Sequence, residues 1–108
     1  MLEIKSIVGD IENWGEDKDD FIVSFEIDVG EQDIPAASDM LSFSVISPKR
    51  LSKILDKVDI EIGHGYLLMK DFNIQNVQSS LENIVNKCKD EDYDIYLNNL
   101  ARYFKLHE

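Results

Sequence analysis

The chain has 108 residues, of which 44% are hydrophobic, and a formal net charge of −11. A chain of this length buries roughly two thirds of its unfolded surface around a single core, and its acidity disfavours nucleic acid and anionic lipid as partners. Residues 1–39 hold 12 Asp or Glu against two Lys, a balance of −10, whereas residues 40–108 hold 10 acidic and nine basic residues. We therefore predict one domain over residues 1–108 with an acidic amino-terminal flank that attracts a basic protein, although acidic domains often carry such charge for solubility alone.

The compartment is predicted from cysteine usage and apolar runs. Cys88 is the only cysteine, which excludes an intramolecular disulfide and favours the reducing cytoplasm. The first residues lack the basic and then apolar pattern of a signal peptide, and no apolar run approaches the ~20 residues that cross a bilayer. We expect a cytoplasmic protein that does not bind membranes.

The first elements in chain order are strands. Residues 21–29 alternate apolar and polar side chains, which is the period of a half-buried antiparallel strand, and residues 41–46 repeat the pattern. Apolar residues near the amino terminus predict a first strand over residues 2–7. A fourth strand is predicted over residues 66–70, entered through Gly63-His64-Gly65.

Helices follow the strands. Ser47-Pro48 predicts a helix start, with a short helix to about Leu55. Apolar residues then recur at helical spacing over residues 74–88 and 93–104, and Asp90 or Asp92 is expected to cap the last helix. The predicted fold is therefore α+β: a mostly antiparallel sheet of about four strands with helices packed on one face, including two C-terminal helices.

Catalytic patterns are largely missing from the sequence. It has no Gly-Lys-Ser/Thr phosphate loop, no Cys-x-x-Cys and no His-Glu-x-x-His. Cys88 lies on the apolar stripe of its helix, where a structural thiol is expected. His64 is interpreted as a turn residue, and His107 lies near the terminus. We predict no catalytic residue, no cofactor and no metal site, and hence not an enzyme.

The acidic stretch over residues 10–20 permits one enzymatic alternative. Asp17 to Asp20 superficially resembles a calcium loop, but Ile22 stands where the sharp turn of that loop requires glycine. Carboxylate catalysis would need convergent side chains in a cleft. A metal-dependent hydrolase is therefore the less favoured reading.

A partner-binding surface is the favoured interpretation of the same acids. Tryptophan is enriched at binding hot spots, and here it stands among carboxylates that can pair with Arg and Lys, although it can equally pack on the core. The predicted partner-binding residues are Trp14, Glu12, Glu16, Asp17, Asp19, Asp20, Glu26 and Asp28. The hypothesis requires that Lys and Arg from later segments leave these acids free.

Several segments together resemble the immunity protein 8 family. The most specific is the run Ser42–Leu51 (SFSVISPKRL). The others, in matching order and spacing, are Glu3–Ile7, Asp20-Phe21, Gly65–Met69, and Cys88 followed by Leu100–Phe104. Two departures are Arg50, where the family often has an aromatic residue before the leucine, and the lack of an acidic, aromatic tail after Phe104.

The resemblance implies an inhibitor without chemistry of its own. Members of this family are encoded beside bacterial polymorphic and contact-dependent toxins and neutralise the neighbouring toxin. We expect a monomer or weak homodimer that binds the cognate toxin C-terminal domain by occlusion. If that toxin is a nuclease, its basic groove would attract an acidic face. An acidic adaptor for a basic protein is the alternative, which gene neighbourhood distinguishes.

Overall fold

A computed structural model describes residues 2–31 and 39–106. Three long strands form an antiparallel ladder in chain order: β1 (Leu2–Trp14), β2 (Phe21–Glu31) and β3 (Asp39–Ile46). The register places Trp14 opposite Phe21 and Ile22 opposite Ile46. Because the apolar residues of β2 and β3 alternate with polar ones, the ladder has one apolar face, as the sequence predicts.

Two short strands share the outer edge of β3. β4 (Tyr66–Leu68) runs parallel to Ser44–Ile46, and β5 (Lys105–Leu106) runs antiparallel to Leu41 and Ser42. The prediction of a mostly antiparallel sheet is confirmed. The parallel direction of β4 follows from a helical crossover between β3 and β4. The two-residue β5 was not predicted, because two residues are too few to show alternation.

Three helices lie outside the sheet: α1 (Pro48–Lys57), α2 (Ile74–Lys87) and α3 (Tyr93–Leu100). Their N-caps are Ser47, Asn73 and Asp92, whose side chains accept hydrogen bonds from backbone N–H groups of the first turn. The predicted start of α1 and the two C-terminal helices are confirmed. α3 ends at Leu100 rather than at Phe104, although Phe104 is still fully buried.

The core lies between the apolar sheet face and the two C-terminal helices. Tyr96 of α3 donates its hydroxyl hydrogen to the Val85 carbonyl of α2 at 2.9 Å, which joins the two helices. The buried cluster consists of Phe21, Val23, Phe25, Ile27, Val29, Leu41, Phe43, Val45, Val77, Leu81, Val85, Cys88, Tyr96, Leu100 and Phe104. Since this cluster takes side chains from β2, β3, α2 and α3, the packing of helices on one sheet face is confirmed.

α1 differs from the other helices because none of its residues is buried. Leu51 and Ile54 are partly covered, whereas Leu55 and Val58 of the same apolar stripe are exposed. The helix is attached at its start, where the Ser47 hydroxyl oxygen accepts a hydrogen bond from Phe21 N–H at 3.1 Å. α1 thus extends from the beginning of β2 with part of its apolar stripe uncovered.

The second face of the sheet turns away from α2 and α3. Its side chains are small or polar along most of its length, and two neighbouring serines, Ser24 and Ser44, are hydrogen-bonded at 2.9 Å. We call its accessible part the open face; its residues are Ser6, Val8, Ser24, Glu26, Asp28, Met40, Ser42 and Ser44, all partly or largely exposed, whereas Ile46 on the same side of β3 is fully buried.

Candidate partner-binding surface

The loop between β1 and β2 carries four of the predicted binding acids: Glu16, Asp17, Asp19 and Asp20. Gly15 N–H donates to the Asp20 carbonyl at 2.8 Å, and Asp20 N–H donates to the Asp17 carbonyl at 3.1 Å. A Cβ atom at position 15 would lie 2.1 Å from Oδ2 of Asp20. The loop therefore requires glycine at position 15 so that the Asp20 carboxylate can fold over it.

Asp20 belongs to an internal ion-pair network. Its side chain is only 1% exposed; Nε of Arg50 donates to Oδ1 at 2.6 Å, and Lys53 pairs with Oδ2. Arg50 and Lys53 are three residues apart on α1, so one helix face supplies both cations. The hydrogen bond from Lys53, followed by that from Arg50, lowers the pKa of Asp20. Its carboxylate is thus paired with α1 and is not presented at the surface.

Lys49 extends the network to the exposed acids of the loop. Its ammonium group pairs with Asp17, and its Nζ lies 3.4 Å from Oδ1 of Asp19. The hydrogen bond from Lys49 lowers the pKa of Asp17. The partner-binding hypothesis requires that Lys and Arg from later segments form no ion pairs with these acids. This requirement does not hold for Asp17, Asp19 and Asp20, because α1 supplies three cations to them.

Glu12 and Glu16 keep their charges exposed. Both side chains lie in solvent, and neither forms an ion pair with any side chain that the structure describes. The loop and the end of β1 thus retain part of the negative field that the sequence predicts.

Trp14 has a buried side and an exposed side. Its ring centroid lies 4.9 Å from that of Phe21 and 5.8 Å from that of Phe72. The residue is nevertheless 44% exposed. Both readings of Trp14 therefore apply in part: one side packs on the rim of the core, and the other is accessible to a partner.

Glu26 and Asp28 lie on the open face, where none of the side chains that the structure describes forms an ion pair with them. Asp28 accepts a hydrogen bond from the Ser6 hydroxyl at 2.9 Å, which orients the carboxylate without neutralising it. Their cross-strand neighbours on β3 are Ser42 and Met40, both uncharged. These two acids combine an accessible sheet face with an uncompensated charge.

An exposed apolar group was not among the predicted site residues. It consists of Leu55, Val58, Ile60, Ile62 and Leu68, at the end of α1, in the segment after it and on β4. We call it the apolar corner. Ile60 is 82% exposed and Ile62 is 78% exposed. The sequence signal was the alternation Ile60-Glu61-Ile62, which follows the end of a helix pattern and has no predicted element to pack on.

The nucleophile and base candidates of the sequence are placed in structural roles. Cys88 is buried at the end of α2, and desolvation raises the pKa of its thiol, which opposes formation of a reactive thiolate. Nε2 of His64 lies 2.8 Å from the Ala101 carbonyl oxygen and joins the turn before β4 to the end of α3. His107 lies outside the described residues.

The described residues show neither a cluster of metal ligands nor a helix that could span a membrane. No group of three or more His, Cys, Asp or Glu side chains within residues 2–31 and 39–106 is arranged to hold a metal ion. Over the same part of the chain, no helix has the length and apolar character needed to cross a membrane.

Comparison with known proteins gives one match. The family model described as Immunity protein 8 matches residues 2–107. No curated protein and no solved structure matches the chain. The match includes every strand and helix described above, the acidic loop, the open face and the apolar corner.

Proposed function

The chain belongs to the immunity protein 8 family, and from this membership we propose that it binds a cognate bacterial toxin domain and inhibits it by occlusion. Immunity proteins of this kind neutralise a toxin, and the match over residues 2–107 is the observation that carries the proposal. The toxin is proposed to be the C-terminal domain of a polymorphic or contact-dependent toxin encoded beside this protein. Inhibition needs only a stable complex, so the protein is not expected to act as an enzyme.

Charge supports a basic toxin surface as the contact. Glu26 and Asp28 on the open face, Glu12 near the end of β1 and Glu16 in the following loop form no ion pair with any side chain that the structure describes. A positively charged surface would be steered toward them, and the contacts would form as water is expelled. A nuclease fits this chemistry, because its substrate groove must be basic to hold phosphates.

The loop acids have a different part in this proposal. Asp17, Asp19 and Asp20 hold α1 against the end of the hairpin through Lys49, Arg50 and Lys53. We propose that they shape the surface around Trp14 and contribute little net attraction of their own. The cytoplasm is the proposed compartment, since a single buried thiol suits reducing conditions.

Co-expression with the toxin domain encoded directly upstream tests the proposal. Growth of bacteria producing the toxin domain should be restored by this protein, and the two proteins should co-purify. Absence of both rescue and co-purification would exclude the proposed function. Co-purification of a basic protein other than the neighbouring toxin would support an adaptor instead.

Charge-neutral variants locate the contact. Glu26→Gln combined with Asp28→Asn should weaken the complex, whereas Glu82→Gln combined with Glu91→Gln should not. The control pair removes the same charge from α2 and the segment before α3, on the opposite side of the sheet. Equal binding by both double variants would remove the open face from the interface.

A further inference from the structure

We infer that the apolar corner is the anchor of the toxin interface, a conclusion that depends on the proposed function. Its occupant is an apolar pocket of the toxin, bordered by basic residues. The corner is defined by Leu55, Val58, Ile60, Ile62 and Leu68.

The first support is the amount of apolar side chain left in water. Ile60 and Ile62 are 82% and 78% exposed, and Leu68 is 63% exposed. Single exposed apolar residues are ordinary on protein surfaces, but a contiguous group of them marks an interaction site. Five such residues between positions 55 and 68 make the corner a candidate of this kind.

The second support is a hydrogen bond that ties the segment with Ile60 and Ile62 to β4. The Tyr66 hydroxyl donates to Oε1 of Glu61 at 2.8 Å, so the segment that carries Ile60 and Ile62 is held beside β4. Tyr66 and Leu68 lie on the same side of β4, because side chains alternate along a strand. The segment that carries the two isoleucines is therefore tied to the strand that carries Leu68, through a side chain on the same side of β4 as Leu68.

The third support is continuity with the acidic part of the open face. The register aligns Ser44 of the open face with Tyr66, and Leu68 follows Tyr66 on the same side of β4. Glu26 is aligned with Ser42. From the rise along a strand and the spacing between strands, Glu26 and Leu68 are roughly 16 Å apart. An interface of about 800 Å² per partner covers both.

Charge favours a toxin over a second copy of this chain as the occupant of the apolar corner. Two copies that approach each other would each carry a formal charge of −11. Around the corner itself, Asp56, Asp59, Glu61 and Asp71 outnumber Lys57 and Lys70. Self-association through the corner would bring like charges together, whereas a cationic partner gains attraction at its rim and apolar burial at its centre.

The experiment compares serine variants of the corner with a matched control. The double variant Ile60→Ser and Ile62→Ser should bind the purified upstream toxin domain at least about thirtyfold more weakly, the fold-change that corresponds to loss of one hot spot. The change should be mainly in the dissociation rate, measured by surface plasmon resonance. Ile95→Ser removes an equally apolar, exposed side chain from α3 and should bind as wild type.

The outcomes separate this inference from the proposed function. If the wild-type protein does not bind the toxin domain, the proposed function fails and the inference fails with it. If the wild type binds and the corner variant binds equally well, with a circular dichroism spectrum and melting temperature like those of wild type, only the inference is overturned. Sedimentation showing a wild-type dimer that the corner variant cannot form would also overturn it, in favour of a second copy.

Discussion

Asp20 is an ionised side chain held at almost complete burial by residues far away in the sequence. Arg50 and Lys53 balance its charge, and Gly15 leaves the space that its carboxylate occupies. A buried charge is tolerated only when it is paired in this way, so each of the four residues depends on the others. Two predictions at this scale test that dependence.

The first prediction concerns how the stability of the fold depends on pH. The folded-state pKa values of Asp17 and Asp20 lie below the ordinary value of 3.8. On acidification, these carboxylates therefore take up protons in the unfolded chain before they do so in the folded protein. Their contribution to the stability of the fold is present above about pH 4 and is lost as the pH falls through their folded-state pKa values. We expect the urea midpoint of the wild type to fall steeply below about pH 4, and that of Asp20→Asn to start lower and fall less steeply.

Glu16→Gln is the control for this measurement. It removes an exposed acid of the same loop that has no ion-pair partner among the described residues. We expect its pH profile to follow the wild type. An Asp20→Asn profile as steep as the wild-type one would show that the ion pairs do not govern acid sensitivity.

The second prediction concerns Gly15. Gly15→Ala would place a methyl group 2.1 Å from Oδ2 of Asp20. The loop must shift or the ion pairs must break, and we expect a loss of about 1–3 kcal/mol in the free energy of unfolding. Gly63→Ala is the matched control, since a Cβ there meets no atom within 4 Å. Equal urea midpoints for the two variants would contradict the steric role of Gly15.

At the scale of elements, Ser47 joins β2 to α1. Its hydroxyl oxygen accepts hydrogen bonds from Arg50 N–H and from Phe21 N–H, each at 3.1 Å. One side chain thus caps the helix and satisfies a buried amide of the neighbouring strand. Because α1 buries no residue of its own, its position depends on this junction and on the ion pairs that follow it.

Ser47→Ala should therefore lower the free energy of unfolding more than the loss of an ordinary N-cap does. We expect a loss of about 2–3 kcal/mol in the free energy of unfolding, from the cap and from the unsatisfied Phe21 amide together. Ser52→Ala, on the exposed surface of α1, should be neutral or slightly stabilising, since alanine favours helices. Denaturant unfolding measures both variants. A loss below about 0.5 kcal/mol for Ser47→Ala would show that water replaces the hydroxyl.

Local sequence patterns predicted the strands and helices better than they predicted how those elements pair and pack. The alternation of Phe21 to Val29 and the cap at Ser47 are local features, and the structure confirms both. The parallel pairing of β4 and the pairing of β5 with β3 depend on contacts distant in sequence, which no local period encodes. The same reason applies to the acidic loop: its negative charge was visible in the sequence, but its pairing with Lys49, Arg50 and Lys53 arises only when α1 folds beside the hairpin.

At the scale of the whole molecule, charge and apolar surface are divided between regions. The cations of α1 balance part of the negative charge of the acidic flank, and the acids left without an ion pair among the described side chains include Glu12, Glu16, Glu26 and Asp28. The apolar corner lies at the far edge of the sheet. This arrangement combines long-range attraction with a short-range apolar contact on neighbouring surfaces. The association kinetics of the complex test the first component.

The salt dependence of the association rate should distinguish the acids of the open face from Asp17 and Asp19 of the loop. Association of the wild type with the toxin domain should slow as ionic strength rises from about 50 to 500 mM. Glu26→Gln with Asp28→Asn should lower the low-salt association rate by about tenfold and flatten this dependence. Asp17→Asn with Asp19→Asn changes the net charge by the same amount but should have a smaller effect, because these acids lie in the loop beside α1 and not on the open face. Stopped-flow measurements that give the reverse order would reject this assignment of charge.

The position of β5 affects when the fold can be completed during translation. β3 pairs with β2 soon after both leave the ribosome, but part of its other edge waits for Lys105 and Leu106. Phe104, which is fully buried in the core, is synthesised equally late. A nascent chain that has not yet exposed these residues has an incomplete sheet and an open core. Protection of the cell should therefore lag behind the onset of synthesis.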